Sequence, residues 1–285
     1  MANDSDTTPI RQQYLDIKSQ YPDAILFFRL GDFYETFDED AKIASRELDI
    51  VLTARNVAKG KKIPMAGIPH HAAENYIGRL IERGYHVAIC EQVGDGPVKG
   101  LFPREVVRVV TPGTVVEPGL LPGDANNYLV AVLEEGGEIG VGYVDITTGE
   151  FAATQFSAAD SGEGVRQEVR RLEPAELLHP ESFHVSLSEG IHRTPWPDWR
   201  FTLDRTTGGL QDHFCVASLD GFGLAGKPLA TRAAGAILDY LGETQQPTVS
   251  LLDDIHTYSI DEFMVLDAAT RRNLELTETL RRGEH

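Results

Sequence analysis

Phe33, Glu35 and Phe37 occupy alternate positions of the segment FYETF. In an extended strand successive side chains point to opposite faces, so this trio shares one face while Tyr34 and Thr36 take the other. A carboxylate between two aromatic rings makes an awkward core. If the face is buried, an unpaired Glu35 costs several kcal/mol; if it meets water, two phenyl rings are left exposed. The plainest resolution puts Phe37 in the core, pairs Glu35 with a neighbouring cation and leaves Phe33 as one of the scattered apolar groups that any surface carries. A functional face is the other resolution.

Two further constellations have spacings that chemistry could use. Residues 221–227, GFGLAGK, match the Gly-x4-Gly-Lys interval of a phosphate-binding loop and precede an apolar helical stretch. Pro228 then stands where such a loop needs a Ser or Thr hydroxyl for Mg²⁺, and it lacks the backbone N–H that a phosphate cradle uses. His70, His71 and Glu74 have a helical spacing that suits a metal, yet no third ligand is evident, and the first turn of a helix explains them. The only cysteines, Cys90 and Cys215, each lie beside apolar residues, which reads as two reduced core thiols.

The elements that must position Phe33 and Glu35 are legible around them. Ile10, Tyr14 and Ile17 have helical spacing and predict a short amphipathic helix over 10–20. AILFFRL is an apolar strand, Gly31-Asp32 a two-residue turn of the type that wants Gly first, and FYETF the return strand. Residues 38–52 predict a helix with acidic residues in its first turn, where the helix dipole favours them. The strand-like run VVRVVTPGTVV closes this unit, giving a first domain over 1–116. EPGLLPGDANN, with two Pro and two Gly, places a linker at 117–126.

Beyond it, YLVAVLEE and EIGVGYVDITTGEFAATQF predict antiparallel strands, GEGVRQEVRRLEPAELL a helix, FHVSL a strand, and the region of LATRAAGAILDYLGE closing helices, a second domain over 127–248. Residues 249–285 read as the start of a third domain, helical from Met264, that stops without a cap.

With 285 residues the chain has room for about two domains of roughly 100 to 200 residues. No apolar run approaches the ~18 to 20 residues of a membrane span, and MANDSDTTP lacks the basic and apolar regions of a signal peptide, so a soluble cytoplasmic protein is expected. The net charge of −18 argues against a polyanionic ligand, but it is unevenly spread. Residues 1–116 carry a net −2, residues 117–285 a net −16, and residues 51–110 a net +4, a candidate phosphate-facing stretch. Seven Lys and 19 Arg beside 44 carboxylates suggest a salt-adapted, halophilic host.

FFRLGDFYETF, DEDAKIASRELDIVLTAR, IPMAGIPHHAAENYIGRLIERGYHVAICEQV and REVVRVVTPGT resemble, almost without a gap, the mismatch-recognition domain of the MutS family over about residues 10–116. Residues 127–245 are similar, more loosely, to that family's connector domain, and DEFMVLDAATRRNLEL to the opening of its core helical domain. The resemblance implies an α/β chain: a mixed-sheet recognition domain, a ribonuclease-H-like connector, and the first helix of a truncated helical domain.

It also implies a binding module for mismatched DNA in mismatch repair, not an enzyme. The family's Phe-x-Glu motif falls on Phe33, as a wedge into the helix at a mispair, and on Glu35, as hydrogen-bond partner of the displaced base. Unstacking a base step costs a few kcal/mol and least where pairing is faulty, so a wedge senses deformability and needs no base-edge code. A carboxylate near phosphates is repelled unless a base edge compensates it, so Glu35 would discriminate and not attract. Attraction is expected from Arg55, Lys59, Lys61, Lys62, Arg104 and Arg108, with Met65 touching the groove.

The resemblance implies no cofactor or metal in this chain, since the family's ATP and Mg²⁺ belong to a carboxy-terminal domain. Its implied partners are double-stranded DNA with mismatches or small loops, a second subunit in a homodimer of the complete protein, and a downstream repair partner at the connector. Two alternatives stand beside it. One is a protein-interaction fragment of connector type; the other is an enzyme, a ribonuclease-H-like metal-dependent nuclease or a nucleotide hydrolase at 221–227. The nuclease would use Asp145 with Glu150 and Asp220, although no spacing singles out those carboxylates and Asp145 reads as a structural strand end.

Overall fold

The computed structural model describes residues 8–58, 61–94, 96, 97, 100–121, 126–157, 163–184, 187 and 190–260. Helix α1 (Pro9–Lys18) starts on a proline, whose missing N–H falls where a helix has no partner for it. Strands β1 (Ala24–Leu30) and β2 (Phe33–Phe37) form the expected hairpin. Gly31 is left-handed at φ 60° and Asp32 is not, as a turn with Gly first requires. Helix α2 (Asp38–Leu48) is shorter than the 38–52 reading because Asp49 turns left-handed, φ 56°, a conformation Asp tolerates. The sequence reading has no counterpart for the antiparallel pair β3 (Thr53–Ala58) and β4 (Lys61–Pro69). Helix α3 (Ala73–Ile81), β5 (His86–Gln92) and β6 (Arg104–Val110) follow.

These six strands make one mixed sheet, β3-β4-β2-β1-β5-β6, with only β1 and β5 parallel. On one face Phe27, Tyr34, Ile68 and Ile89 pack with Leu48 of α2 and Leu80 of α3. On the other, Leu26, Phe28, Phe37 and Cys90 pack under Tyr14 and Ile17 of α1. The Tyr14 ring meets Phe28 and Phe37 edge-on at 5.6 and 4.8 Å.

The expected strand through TPGTVV ends early. Pro112 cannot donate to a ladder, and residues 112–114 form a 3₁₀ turn closed by Thr111 and Thr114.

In the second sheet β7 (Leu129–Glu135), β8 (Glu138–Asp145) and β9 (Glu150–Ser157) run antiparallel. β10 (Glu176–Pro180) is parallel to β7, β11 (His192–Trp196) to β10, and β12 (His256–Thr257) to β9. The order β11-β10-β7-β8-β9-β12 is flanked by α4 (Glu163–Leu172) on one face and by α5 (Leu203–Phe214) and α6 (Pro228–Thr244) on the other. It is the layout expected of a ribonuclease-H-like connector. Glycines let α6 lie directly on β8: a Cβ at Gly140 would stand 2.3 Å from the Leu229 carbonyl oxygen.

The helix predicted through PAELL stops at Leu172, because Glu173 is left-handed at φ 46° and Pro174 follows; the rest becomes β10. Phe183 and His184 are not strand, 185 and 186 lie outside the described residues, and so does the helical pattern from Met264.

A buried carboxylate ties the two sheets together. Glu176, fully enclosed at the start of β10, accepts from Thr111 Oγ1, from Gly113 N at 2.9 Å, from Thr194 Oγ1 at 2.6 Å and from Tyr240 OH at 2.7 Å. His86 Nε2 of β5 lies 3.5 Å from the same group. Asn127 Nδ2 and Gln245 Nε2 add bonds to the Pro112 and Thr114 carbonyls. Replacing Glu176 with Ala strands four donors at once. We expect it to lower the free energy of unfolding by about 3 kcal/mol and to separate the melting of the two domains in scanning calorimetry. One unshifted transition would show that the junction does not depend on this carboxylate.

Candidate nucleic-acid interface

Strand β2 lies inside the first sheet, so backbone pairing on both sides fixes its side chains. Phe33 stands opposite Leu30 and Pro69, Glu35 opposite Phe28 and Gly67, Phe37 opposite Met65. Burial rises steadily along the shared face: Phe33 is 48% exposed, Glu35 is half-buried, and Phe37 is sealed beneath Tyr14. The hairpin tip is braced by His70 N, which donates to the Asp32 carbonyl at 2.9 Å. Gly67 keeps the neighbouring strand flat beside the motif. A Cβ there would lie 3.3 Å from the Tyr34 carbonyl oxygen and 3.9 Å from the Phe33 ring. The sequence reading missed Gly67; the signal available was a lone glycine inside a strand-length apolar run.

Arg55 comes from the edge strand β3, reaches diagonally across β4 and ion-pairs with Glu35 Oε2. Its guanidinium also sits 6.0 Å from the centre of the Phe37 ring. Burial pushes the Glu35 carboxyl above its ordinary value, and the Arg55 charge and hydrogen bond only partly offset that. This is the plain arrangement in every detail: Phe37 in the core, Glu35 paired, Phe33 exposed.

The other expected cations are dispersed. Arg104 is buried, with Nε bonded to the Arg29 carbonyl at 2.8 Å and Nη1 to Gln13 Oε1 and the Phe102 carbonyl at 2.9 and 3.1 Å. Its guanidinium covers the Phe28 ring at 4.9 Å, so it fastens α1 to the sheet instead of facing phosphate. Arg108 pairs with Glu117 and stands opposite Ile89, on the face away from Phe33. Lys62 is exposed but alternates with Ile63, which turns it to that same far face. Lys59 lies outside the described residues, as does the side chain of Lys61. Met65 is partly buried against the α1 side of the core. Among the described residues, Arg104 shares the Phe33–Glu35 face but is buried over Phe28, and of these cations only Arg55 pairs with Glu35. A charge count registers neither strand parity nor burial.

The remaining constellations have structural explanations. Asp145 is buried at the end of β8 and accepts from Asn127 N, Thr147 N and Thr147 Oγ1 at 3.2, 2.9 and 2.6 Å. Residues 220–222 form a 3₁₀ turn, and Lys227 precedes α6 with Pro228 as its first residue. His70 and His71 open a 3₁₀ turn ahead of α3. Cys90 is a buried thiol pushed up to about 12 by desolvation. Cys215 corrects the core reading: it is exposed, in the left-handed residue that ends α5 at φ 55°. Among the described residues no three His, Cys, Asp or Glu could hold a metal ion together, and no helix is long and apolar enough to cross a membrane.

The raised Glu35 carboxyl carries a stability consequence. A carboxyl raised by folding favours the fold below its ordinary value of 4.5, and that contribution is lost as pH rises through the raised value. Ionised Glu35 is thus a net cost at neutral pH. Glu35→Gln should melt above the wild type at pH 7, with the gap closing as pH falls below the ordinary value; a gap independent of pH would contradict this.

Comparison with known proteins accounts for both sheets. Residues 8–118 match the family model described as MutS domain I and residues 127–253 that described as MutS domain II. The chain is 48% identical over 272 residues to the DNA mismatch repair protein MutS of Dehalococcoides mccartyi, covering 94% of this chain and 31% of that protein. To the protein of the same name from Symbiobacterium thermophilum it is 49% identical over 285 residues, 97% of this chain and 33% of the relative. To that of Halothermothrix orenii it is 47% identical over 288 residues, 99% and 32%. The chain thus spans about a third of the length of the curated relatives it matches. Over the described sheets it carries MutS domains I and II in succession, and it belongs to the MutS family.

Proposed function

We propose that the chain binds mismatched duplex DNA as the sensing front of a mismatch-repair protein, with Phe33 entering the faulty base step and Glu35 hydrogen-bonding the base that is displaced. The observation that carries this reading is the half-exposed Phe33 ring at the rim of a face whose other aromatic is sealed. A wedge has to be exposed before it meets DNA, so the plain arrangement of Phe33 and the wedge part company only on a duplex. The pairing of β2 on both sides supports it too, since a ring on a rigid strand can load a base step without yielding. Cost then falls on the DNA, and it is least where pairing is already defective.

The resemblance to the MutS family extends this proposal to a wider setting. In it the complete protein is a cytoplasmic homodimer, ATP and Mg²⁺ act in a domain beyond this chain, and the connector meets a downstream repair partner. The excess of carboxylates over residues 117–285, net −16, supports a salt-adapted host and keeps that half away from the polyanion.

Phe33→Ala should cut the preference for a mismatched over a matched duplex by about tenfold, measured by fluorescence anisotropy with labelled oligonucleotides. It should lower the free energy of unfolding by only about 1 kcal/mol, because half of the ring is already in water. Unchanged preference would remove Phe33 from the mechanism. The salt reading predicts a melting temperature that rises from low to molar NaCl; indifference to salt would count against it.

A further inference from the structure

Glu35 offers two oxygens, and they are not equivalent. Among the described residues Oε2 has one partner, Arg55, while no protein donor reaches Oε1. The carboxyl is half-buried between β1 and β4, yet Oε1 is not among the buried polar atoms left without a partner, so it stays open to solvent. Arg55 is about one-third exposed, is the only cation that the described residues pair with Glu35, and approaches from the strand edge without covering Phe33.

We propose that Arg55 is a positioning residue for Glu35: it pins Oε2 and holds the carboxylate ionised, leaving Oε1 as the acceptor presented beside Phe33. The inference rests on the reading of Glu35 as the group that meets the displaced base. A base N–H needs an acceptor, and a protonated carboxyl with a rotating hydroxyl is a poor one. In a half-buried site the desolvated carboxyl would drift toward its neutral form, and the guanidinium opposes that drift by charge and by hydrogen bond. Arg55 thereby sets both the direction and the charge of the reading group. Its role differs from the phosphate contact expected of a basic residue in this stretch.

The other charges packed around Glu35 do not duplicate this role. Arg104 lies over Phe28, the β1 partner of Glu35, but its Nε and Nη1 are committed to Arg29, Gln13 and Phe102. Arg11 of α1 sits 6.0 Å from the Phe37 ring and pairs with Asp38. Gly67 on β4 brings no charge.

The test measures the ratio of mismatched to matched duplex affinity against pH for the whole chain and for Arg55→Ala, Arg55→Lys and Glu35→Gln. Circular dichroism verifies the fold of each, and NMR follows the Glu35 carboxyl in the free chain. In the wild type the ratio should fall on acidification as Glu35 takes up a proton. In Arg55→Ala burial acts almost unopposed, so the Glu35 titration and the fall in ratio should both move to higher pH. Arg55→Lys, which keeps the charge, should return both most of the way, and Glu35→Gln should be low and flat in pH.

If Arg55 were a phosphate ligand instead, its loss would weaken both duplexes equally, lower the salt slope by about 0.9 and leave the ratio and its pH profile in place, which overturns the proposal. An unmoved Glu35 titration in Arg55→Ala overturns it as well, with or without DNA. A wild-type ratio in Glu35→Gln would mean that the underlying reading of Glu35 is wrong, a result separable from either.

Discussion

Strand β2 is hydrogen-bonded along both edges, and that constraint decides what each of its side chains can do. A strand held by β1 and β4 can neither slip nor roll, since a shift of one residue would exchange its two faces. Tyr34 and Thr36 are therefore committed to the side covered by α2 and α3, and Phe37 to the side covered by α1. Burying a Phe contributes about 1.5 to 3 kcal/mol, and each edge-on contact of Tyr14 about 0.5 to 1.5 more. Phe33, 48% exposed, gains only part of the burial and none of the edge-on contacts. It is the one aromatic of the strand that the fold orients without fully burying.

Much of this was legible from residue types. Alternation in FYETF, the Gly-first turn at Gly31 and the apolar run AILFFRL specify the hairpin and the face of Phe33. Two signals were absent. The β3–β4 pair carries Arg, Lys, Pro and Gly instead of an alternating pattern, so nothing local announces that β4 will line β2. The partner of Glu35 is likewise nonlocal: Arg55 is 20 residues away and reaches it across an intervening strand. Arg104 and Arg108 show the same limit from the other side, for one guanidinium fills a structural slot and the other joins an acid beyond β6.

In the second domain the strong signals, three antiparallel strands and a long apolar helix, appear as expected. The weaker ones fail where a proline or a left-handed residue intervenes. Glu173 and Pro174 turn the predicted end of a helix into the β10 strand, and that conversion has a use, since it places Glu176 at the head of a strand facing the Thr111–Thr114 turn. A carboxylate enclosed at the joint can be tolerated because hydroxyls and an amide from both sides converge on it.

That joint turns the uneven charge of the chain into an electrical vector. With the acidic half fastened to the nearly neutral half through Glu176, Asn127 and Gln245, the molecule carries a dipole expressed in one frame. A charged body nearby exerts a torque on such a molecule before any contact forms, because a negative field repels the acidic half more strongly than the nearly neutral one. The acidity that looks hostile to a nucleic acid thereby acts unequally on the two halves.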